Sequence, residues 1–296
     1  MKKIALYGRK CNEQFLNYIQ DIFNILTKNK IEIFAYKNYI DSIKLLNNKF
    51  VEKYELKIFK DINDFCCDID LLISIGGDGT FLETLPYLIK SNAPVIGINT
   101  GRLGFLANIS KENIIKALID ILENKYNIEF RTLLELKSPK NIFNDYCFAL
   151  NDITIQKYDL SMISIEVFLN DEYLTPYWTD GLIISTPTGS TAYALSAGGP
   201  IVYPDASNFV LVPIASHNLT VRPLVIPDNF NIKIKVTSRN NKFLLTADHK
   251  AQCIENNIII EIKKADVKIK MLQLYNQSFF KTLREKLMWG IDQRNL

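Results

Sequence analysis

The sequence predicts an α/β amino-terminal domain built on a parallel sheet, then a β-rich, sandwich-like domain, and a carboxy-terminal helix that returns to the first domain. Three observations carry this. Over the first 125 residues, strand-like and helix-like periodicities alternate. Near Tyr126 the alternation gives way to short β-rich runs that continue to Leu274. A lone amphipathic helix then closes the chain. The domains are expected to span 1–125 with 276–296, and 126–275.

Residues 3–7 form a short apolar run, too brief for a signal-peptide core, and read as the first strand. Residues 12–29 place Phe15, Ile19, Ile22, Phe23 and Leu26 at helical spacing. Strands are expected at 31–36 and 94–98. The unbroken apolar run 71–75 has the form of a parallel strand covered on both faces. Residues 80–91 read as helix, with Pro86 forcing a kink or shift, and 111–123 as helix, with Ile114, Leu118 and Leu122 on one side. Alternation of this kind implies right-handed crossovers.

Beyond Tyr126, strands are expected at 161–169, 181–185, 232–237 and 267–272. Asn170-Asp171 and Arg239-Asn240-Asn241 read as hairpin turns, and one helix is expected at 190–196. The last helix, 278–289, carries Phe280, Leu283, Leu287 and Met288 as its apolar face, with Gly290 as its stop.

Composition excludes several classes. The 296 residues are 48% hydrophobic, and only 12 Gly and 10 Pro rule out collagen-like and mucin-like chains. A net charge of +3 from 35 basic and 32 acidic residues leaves no nucleic-acid footprint. No apolar run approaches the roughly 18 residues of a membrane span. The five cysteines, at 11, 66, 67, 147 and 253, include no Cys-x-x-Cys pair, so reduced thiols and a cytoplasmic location are expected. With only His217 and His249 present, a histidine-rich metal site is excluded.

Three segments carry chemistry. The sharpest is Gly76-Gly77-Asp78-Gly79-Thr80, directly after the 71–75 strand and opening a helix. Its glycines let a ligand approach the backbone, and the helix start offers free N–H groups to an anion. An acid inside such a loop clamps phosphate poorly but suits a hydroxyl base or a metal ligand. A tight turn capped by Asp78 is the plain structural alternative. The second segment, residues 97–106, places Asn99, Gly101, Arg102, Gly104 and Phe105 at the end of the next strand. The third runs from Asp180 through Thr188, Ser190, Thr191, Ala192 and Tyr193 to Ser196 and Gly198-Gly199-Pro200, with six hydroxyl residues between 180 and 193. Hydroxyls and open amides suit ribose, amide and phosphate recognition. Neither Gly-x-Ser-x-Gly nor a Walker A loop is present. Asn151-Asp152 and Asp248-His249 read by themselves as turn or capping residues.

With these segments in this order over nearly the whole chain, the sequence resembles the NAD kinases. The Gly-Gly-Asp-Gly loop alone is shared with lipid kinases; the 180–200 motif is the more specific match. Asp152 stands where the family has Glu, a departure. The resemblance implies transfer of the γ-phosphoryl of ATP to the 2′-hydroxyl of the adenosine ribose of NAD, with magnesium accompanying ATP. It implies Asp78 as general base and Gly76, Gly77, Gly79 and Thr80 at the phosphates. It further implies Phe105 and Asp152 in the nucleotide site; Asn151, Thr191 and Tyr193 at the adenosine half; Asp180, Ala192 and Ser196 at the nicotinamide half; and His249 near the reacting ribose. Trp178 stands where some ATP-restricted relatives carry Arg. A homo-oligomer, tetramer or dimer, is expected, without nucleic-acid or membrane partners. A lipid or sugar kinase using the same loop and a non-catalytic NAD-binding regulator are the alternatives.

Overall fold

The computed structural model describes residues 1–101, 103–140, 142–143 and 146–290. Arg102, from the second glycine-rich segment, and the tail beyond Gly290 lie outside them. The chain divides into two compact units, one from Met1 to Phe130 joined by the chain from Ile269 onward, the other from Arg131 to Lys268.

The first unit is a parallel sheet wrapped by helices. Its strands are β1 (Lys3–Gly8), β2 (Glu32–Tyr36), β3 (Leu56–Phe59), β4 (Leu71–Gly76) and β5 (Val95–Asn99), in spatial order β3-β2-β1-β4-β5. Its helices are α1 (Glu13–Lys28), α2 (Lys37–Leu46), α3 (Asn48–Val51), α4 (Asp78–Leu82), α5 (Leu85–Ser91) and α6 (Ile114–Leu122), the last entered by a 3₁₀ turn at Lys111–Asn113. Asn12 caps α1 by accepting the Phe15 N–H at 2.9 Å. Phe15, Ile19, Ile22, Phe23 and Leu26 then pack on Ile4, Leu6, Ile73 and Ile75 together with Ile114 and Leu118 of α6. The expected 80–91 helix is two helices, and Pro86 in the first turn of α5 explains the break: a proline has no N–H to continue α4. Strand order reverses between β1 and β4, and in folds of this type ligands bind outside the strand carboxyl ends at such a point.

Unit two begins within β6 (Tyr126–Ser138) and continues through β7 (Phe148–Ala149), β8 (Asp152–Lys157), β9 (Ile163–Leu169), β10 (Glu172–Thr179) and β11 (Gly181–Ser185). After a 3₁₀ turn (Thr188–Thr191) and the short helix α7 (Tyr193–Ser196) come β12 (Asn208–Ile214), β13 (Leu224–Pro227), β14 (Ile232–Thr237), β15 (Lys242–Ala247), β16 (Lys250–Glu255) and β17 (Ile260–Leu274). One antiparallel sheet runs β13-β12-β11-β8-β15-β16; β10, β9, β14 and the first half of β17 form another. Alternate residues from both meet in one core: Ile153, Ile155, Leu182, Phe209 and Phe243 against Ile163, Ile165, Val167, Ile232 and Ile234. That is the period-two pattern of a sandwich. Asn170 and Asp171 both take positive φ, 51° and 68°, as a tight hairpin between right-twisted strands requires.

From Ile269, β17 belongs to the first unit, where Met271 pairs with Val95 in parallel. Helix α8 (Phe279–Leu287) follows, capped by Ser278, which accepts the Lys281 N–H at 3.2 Å. Its apolar face differs from the expected one. Thr282 and Leu283 are its buried residues, whereas Phe280 and Met288 are 57% and 56% exposed. Met288 has left the helix as a left-handed cap, so it no longer follows helical spacing.

Candidate active site

In the first unit, β4 ends at Gly76, Gly77 is the N-cap of α4, and Asp78, Gly79 and Thr80 form that helix's first turn. Nothing lies within 4 Å of where side chains would stand at Gly77 and Gly79, so the backbone here is open to a ligand. The first N–H groups of a helix lack a partner one full turn back, though here the Thr80 N–H donates to the Gly77 carbonyl at 3.0 Å.

The Asp78 side chain turns toward the loop after β5. Oδ1 accepts the N–H groups of Leu106 at 3.0 Å and Ala107 at 2.9 Å, and Oδ2 accepts that of Phe105 at 2.9 Å. The loop returns beside β5, with the Ile109 N–H donating to the Gly97 carbonyl at 3.2 Å. The two glycine-rich segments of this unit are thus joined through one carboxylate. From α8, Lys286 places Nζ 3.6 Å from Asp78 Oδ2 and 4.6 Å from the centre of the Phe105 ring. Phe279 packs on the same ring, with centroids 6.4 Å apart.

In the second unit, Asn151 and Asp152 lead into β8 beneath the turn that joins β15 to β16. There Asp248 gathers three amides: its Oδ2 accepts the Leu150 N–H at 2.8 Å, and its Oδ1 accepts those of Asn151 at 2.8 Å and Asp152 at 3.3 Å. Burial pushes the Asp248 carboxyl up to about 7, the Asp152 charge adding to the rise and the amides opposing it. Asp152 is itself buried, which raises its carboxyl to about 6, against the pull of the Thr154 hydroxyl donating at 2.9 Å. His249 is exposed on the same turn.

The hydroxyl-rich segment packs directly on Asn151. A Cβ on Gly189 would overlap the Asn151 carbonyl oxygen, which accepts the Thr186 N–H at 2.9 Å. Several hydroxyls of this segment hold the turn. Thr186 donates to the Leu150 carbonyl at 2.5 Å; Ser190 donates to the Pro187 carbonyl at 2.7 Å and accepts the Val202 N–H at 3.0 Å. Thr191 donates to the Thr188 carbonyl at 3.3 Å. Tyr193 and Ser196 are exposed, and the Tyr193 hydroxyl accepts from Gln156 at 2.9 Å. Ala192 lies between the 3₁₀ turn and α7. Asp180 pairs with Lys157 at 2.8 Å.

The two units match the two halves of one family. The model of the ATP-NAD kinase N-terminal domain matches residues 4–126, and that of the ATP-NAD kinase C-terminal domain matches residues 150–274. The chain belongs to the ATP-NAD kinase family. It is 45% identical to the NAD kinase of Flavobacterium johnsoniae over 99% of this chain and 100% of that relative. It is 39% identical to that of Cytophaga hutchinsonii over 98% and 99% of the two chains. Its fold matches yeast NADH kinase complexed with NADH (TM-score 0.83, 23% identity, 100% of this chain and 90% of that one). An Archaeoglobus fulgidus NAD kinase in complex with ATP also matches (TM-score 0.73, 24% identity, 97% and 98%).

Two groups of this ATP-NAD kinase escape a reading of sequence. Asp248 has the pattern of an ordinary turn residue; only its place under residues 150–152 gives it a task. Lys286 carries no motif at all, and its position beside Asp78 arises from the return of α8.

Proposed function

We propose that this chain transfers the γ-phosphoryl group of ATP to the 2′-hydroxyl of the adenosine ribose of NAD, giving NADP and ADP, with Asp78 as the general base. The observation that carries the reading is the Asp78 carboxylate, fixed by three amides at the carboxyl ends of β4 and β5. A ribose hydroxyl is a weak nucleophile. A held carboxylate takes its proton as the new phosphorus–oxygen bond forms and the β–γ bridging bond breaks.

The loop Gly76, Gly77, Gly79 and Thr80 receives donor phosphate, with its open face at Gly77 and Gly79. Phe105 and Asp152 belong to the nucleotide site; Asn151, Thr191 and Tyr193 serve the adenosine half of NAD, His249 lies near its reacting ribose, and Asp180, Ala192 and Ser196 serve the nicotinamide half. For Asp180, the pair with Lys157 would exchange for the carboxamide. Among the described residues no group of three His, Cys, Asp or Glu could hold a metal. A magnesium ion accompanying ATP would be carried mainly on donor phosphates, the usual mode of that ion in kinases. When bound, such an ion neutralises phosphate charge. Trp178, standing where some ATP-restricted relatives carry Arg, removes one source of donor selectivity; ATP is the expected donor, with inorganic polyphosphate as the alternative. A cytoplasmic homo-oligomer, tetramer or dimer, completes the reading.

The test supplies NAD, ATP and magnesium and follows NADP with an NADP-specific dehydrogenase. NADP formation is expected, with 2′-deoxy-NAD binding but not reacting. NAD binding without turnover would favour the non-catalytic regulator; phosphorylation of a lipid or sugar in place of NAD would favour the other kinase class.

A further inference from the structure

We propose that Lys286 is a donor-phosphate ligand of this site, resting on Asp78 until the donor arrives and freeing the base when it does. The proposal rests on the phosphoryl-transfer reading above and assigns to it a residue from the returning helix.

An ionised carboxylate offers four lone-pair positions. At Asp78 three are filled: two on Oδ1 by the Leu106 and Ala107 amides, one on Oδ2 by the Phe105 amide. The fourth belongs to Oδ2, the oxygen beside which Lys286 Nζ stands at 3.6 Å. A base that accepts the ribose proton while keeping its three amides must use that fourth position. The ammonium stands beside that position, and a positive charge there lowers the basicity of Oδ2; its withdrawal makes the oxygen a better acceptor for the hydroxyl proton.

Its hold is suited to withdrawal. At 3.6 Å the ammonium is beyond hydrogen-bond length, and both side chains of the pair are about one-third exposed, a setting in which ion pairs are weak. The Phe105 ring lies 4.6 Å beneath the same ammonium and supports it along the way. Donor phosphates laid on the open face of the loop at Gly77 and Gly79 would stand next to Asp78 and carry more negative charge than one carboxylate. Lysine is a flexible point charge that binds phosphate readily. Exchange of partner moves no proton and breaks no covalent bond: the lysine stays an ammonium, and the carboxylate loses a neighbouring positive charge. The base is thereby a better proton acceptor in the donor complex.

The test measures ATP and NAD binding calorimetrically for the full chain and for Lys286→Met, Lys286→Arg and Lys281→Met, with Michaelis constants and melting temperatures alongside. For Lys286→Met, the dissociation constant and Michaelis constant for ATP should rise at least about fivefold while NAD binding stays within about twofold. Lys286→Arg, which keeps the charge, should recover most of the ATP affinity. Lys281→Met, on the same helix, should match the parent chain. A smaller change in ATP binding for Lys286→Met, or an equal loss of ATP and NAD binding, overturns the proposal and leaves Lys286 as packing on Phe105. Failure of the parent chain to form NADP would instead strike the phosphoryl-transfer reading, which the ATP-binding comparison does not use.

Discussion

Gly104 and Asp78 share a space that only a hydrogen atom fits. A Cβ on Gly104 would overlap Asp78 Oδ1, the oxygen held by the Leu106 and Ala107 amides. The glycine is therefore part of the way the carboxylate is aimed. Gly104→Ala should displace Asp78 and lower turnover by about a hundredfold or more, since a shift of about 1 Å in a reacting group has that effect. Melting temperature and NAD affinity should change little. Turnover within about threefold of the parent chain would show that the aim of Asp78 does not limit the reaction.

The pair Asp152 and Asp248 gives a pH signature. Burial raises the Asp152 carboxyl to about 6, and an aspartate in an unfolded chain ionises near 3.9. Between about pH 4 and about pH 6 the folded chain thus keeps a proton that the unfolded chain has lost. Stability falls as pH rises through that window and does not recover above it. Asp152→Asn keeps the acceptor for Thr154 without the ionisation. Its stability relative to the parent chain should improve by about 2 kcal/mol between about pH 4.5 and about pH 7.5. A difference independent of pH, in melting curves at the two values, would contradict a buried, protonated Asp152.

The correction to the apolar face of α8 separates two leucine-to-phenylalanine neighbours. Leu283 is 7% exposed and Phe280 57%. Leu283→Ala should cost about 2–4 kcal/mol, through lost burial and the cavity left behind. Phe280→Ala should stay within about 0.5 kcal/mol, as surface changes do. Denaturant unfolding of both variants checks the assignment; equal losses would restore the expected face.

Much of the scaffold was legible because its signals are local. The run 71–75 is a fully buried parallel strand, Asn12 caps the helix that its Phe15 and Ile19 spacing predicts, and Asn170-Asp171 turns as those residues permit. Helix α2 was not legible: it leaves β2 directly, and its N-cap Tyr36 makes no side-chain capping bond, so neither a turn residue nor a cap marks its start. At the site, the Gly-Gly-Asp-Gly loop announced Asp78 through its place between strand and helix. The partners of Asp78 did not announce themselves, because the amides of Phe105, Leu106 and Ala107 have no side-chain signature and Lys286 arrives by tertiary return. In the hydroxyl-rich segment the backbone tasks of Thr186 and Ser190 and the packing of Gly189 on Asn151 depend on tertiary neighbours and so have no local signal.

The role of Asp78 is tested most directly by the turnover of Asp78→Asn. Asparagine keeps the size of the side chain and an oxygen for the Leu106 and Ala107 amides but removes the basic group. With NAD, ATP and magnesium saturating, NADP formation should fall by about 10²–10⁴-fold, while melting temperature and NAD affinity stay near those of the parent chain. Retention of more than about a tenth of parental turnover would contradict a general base at Asp78.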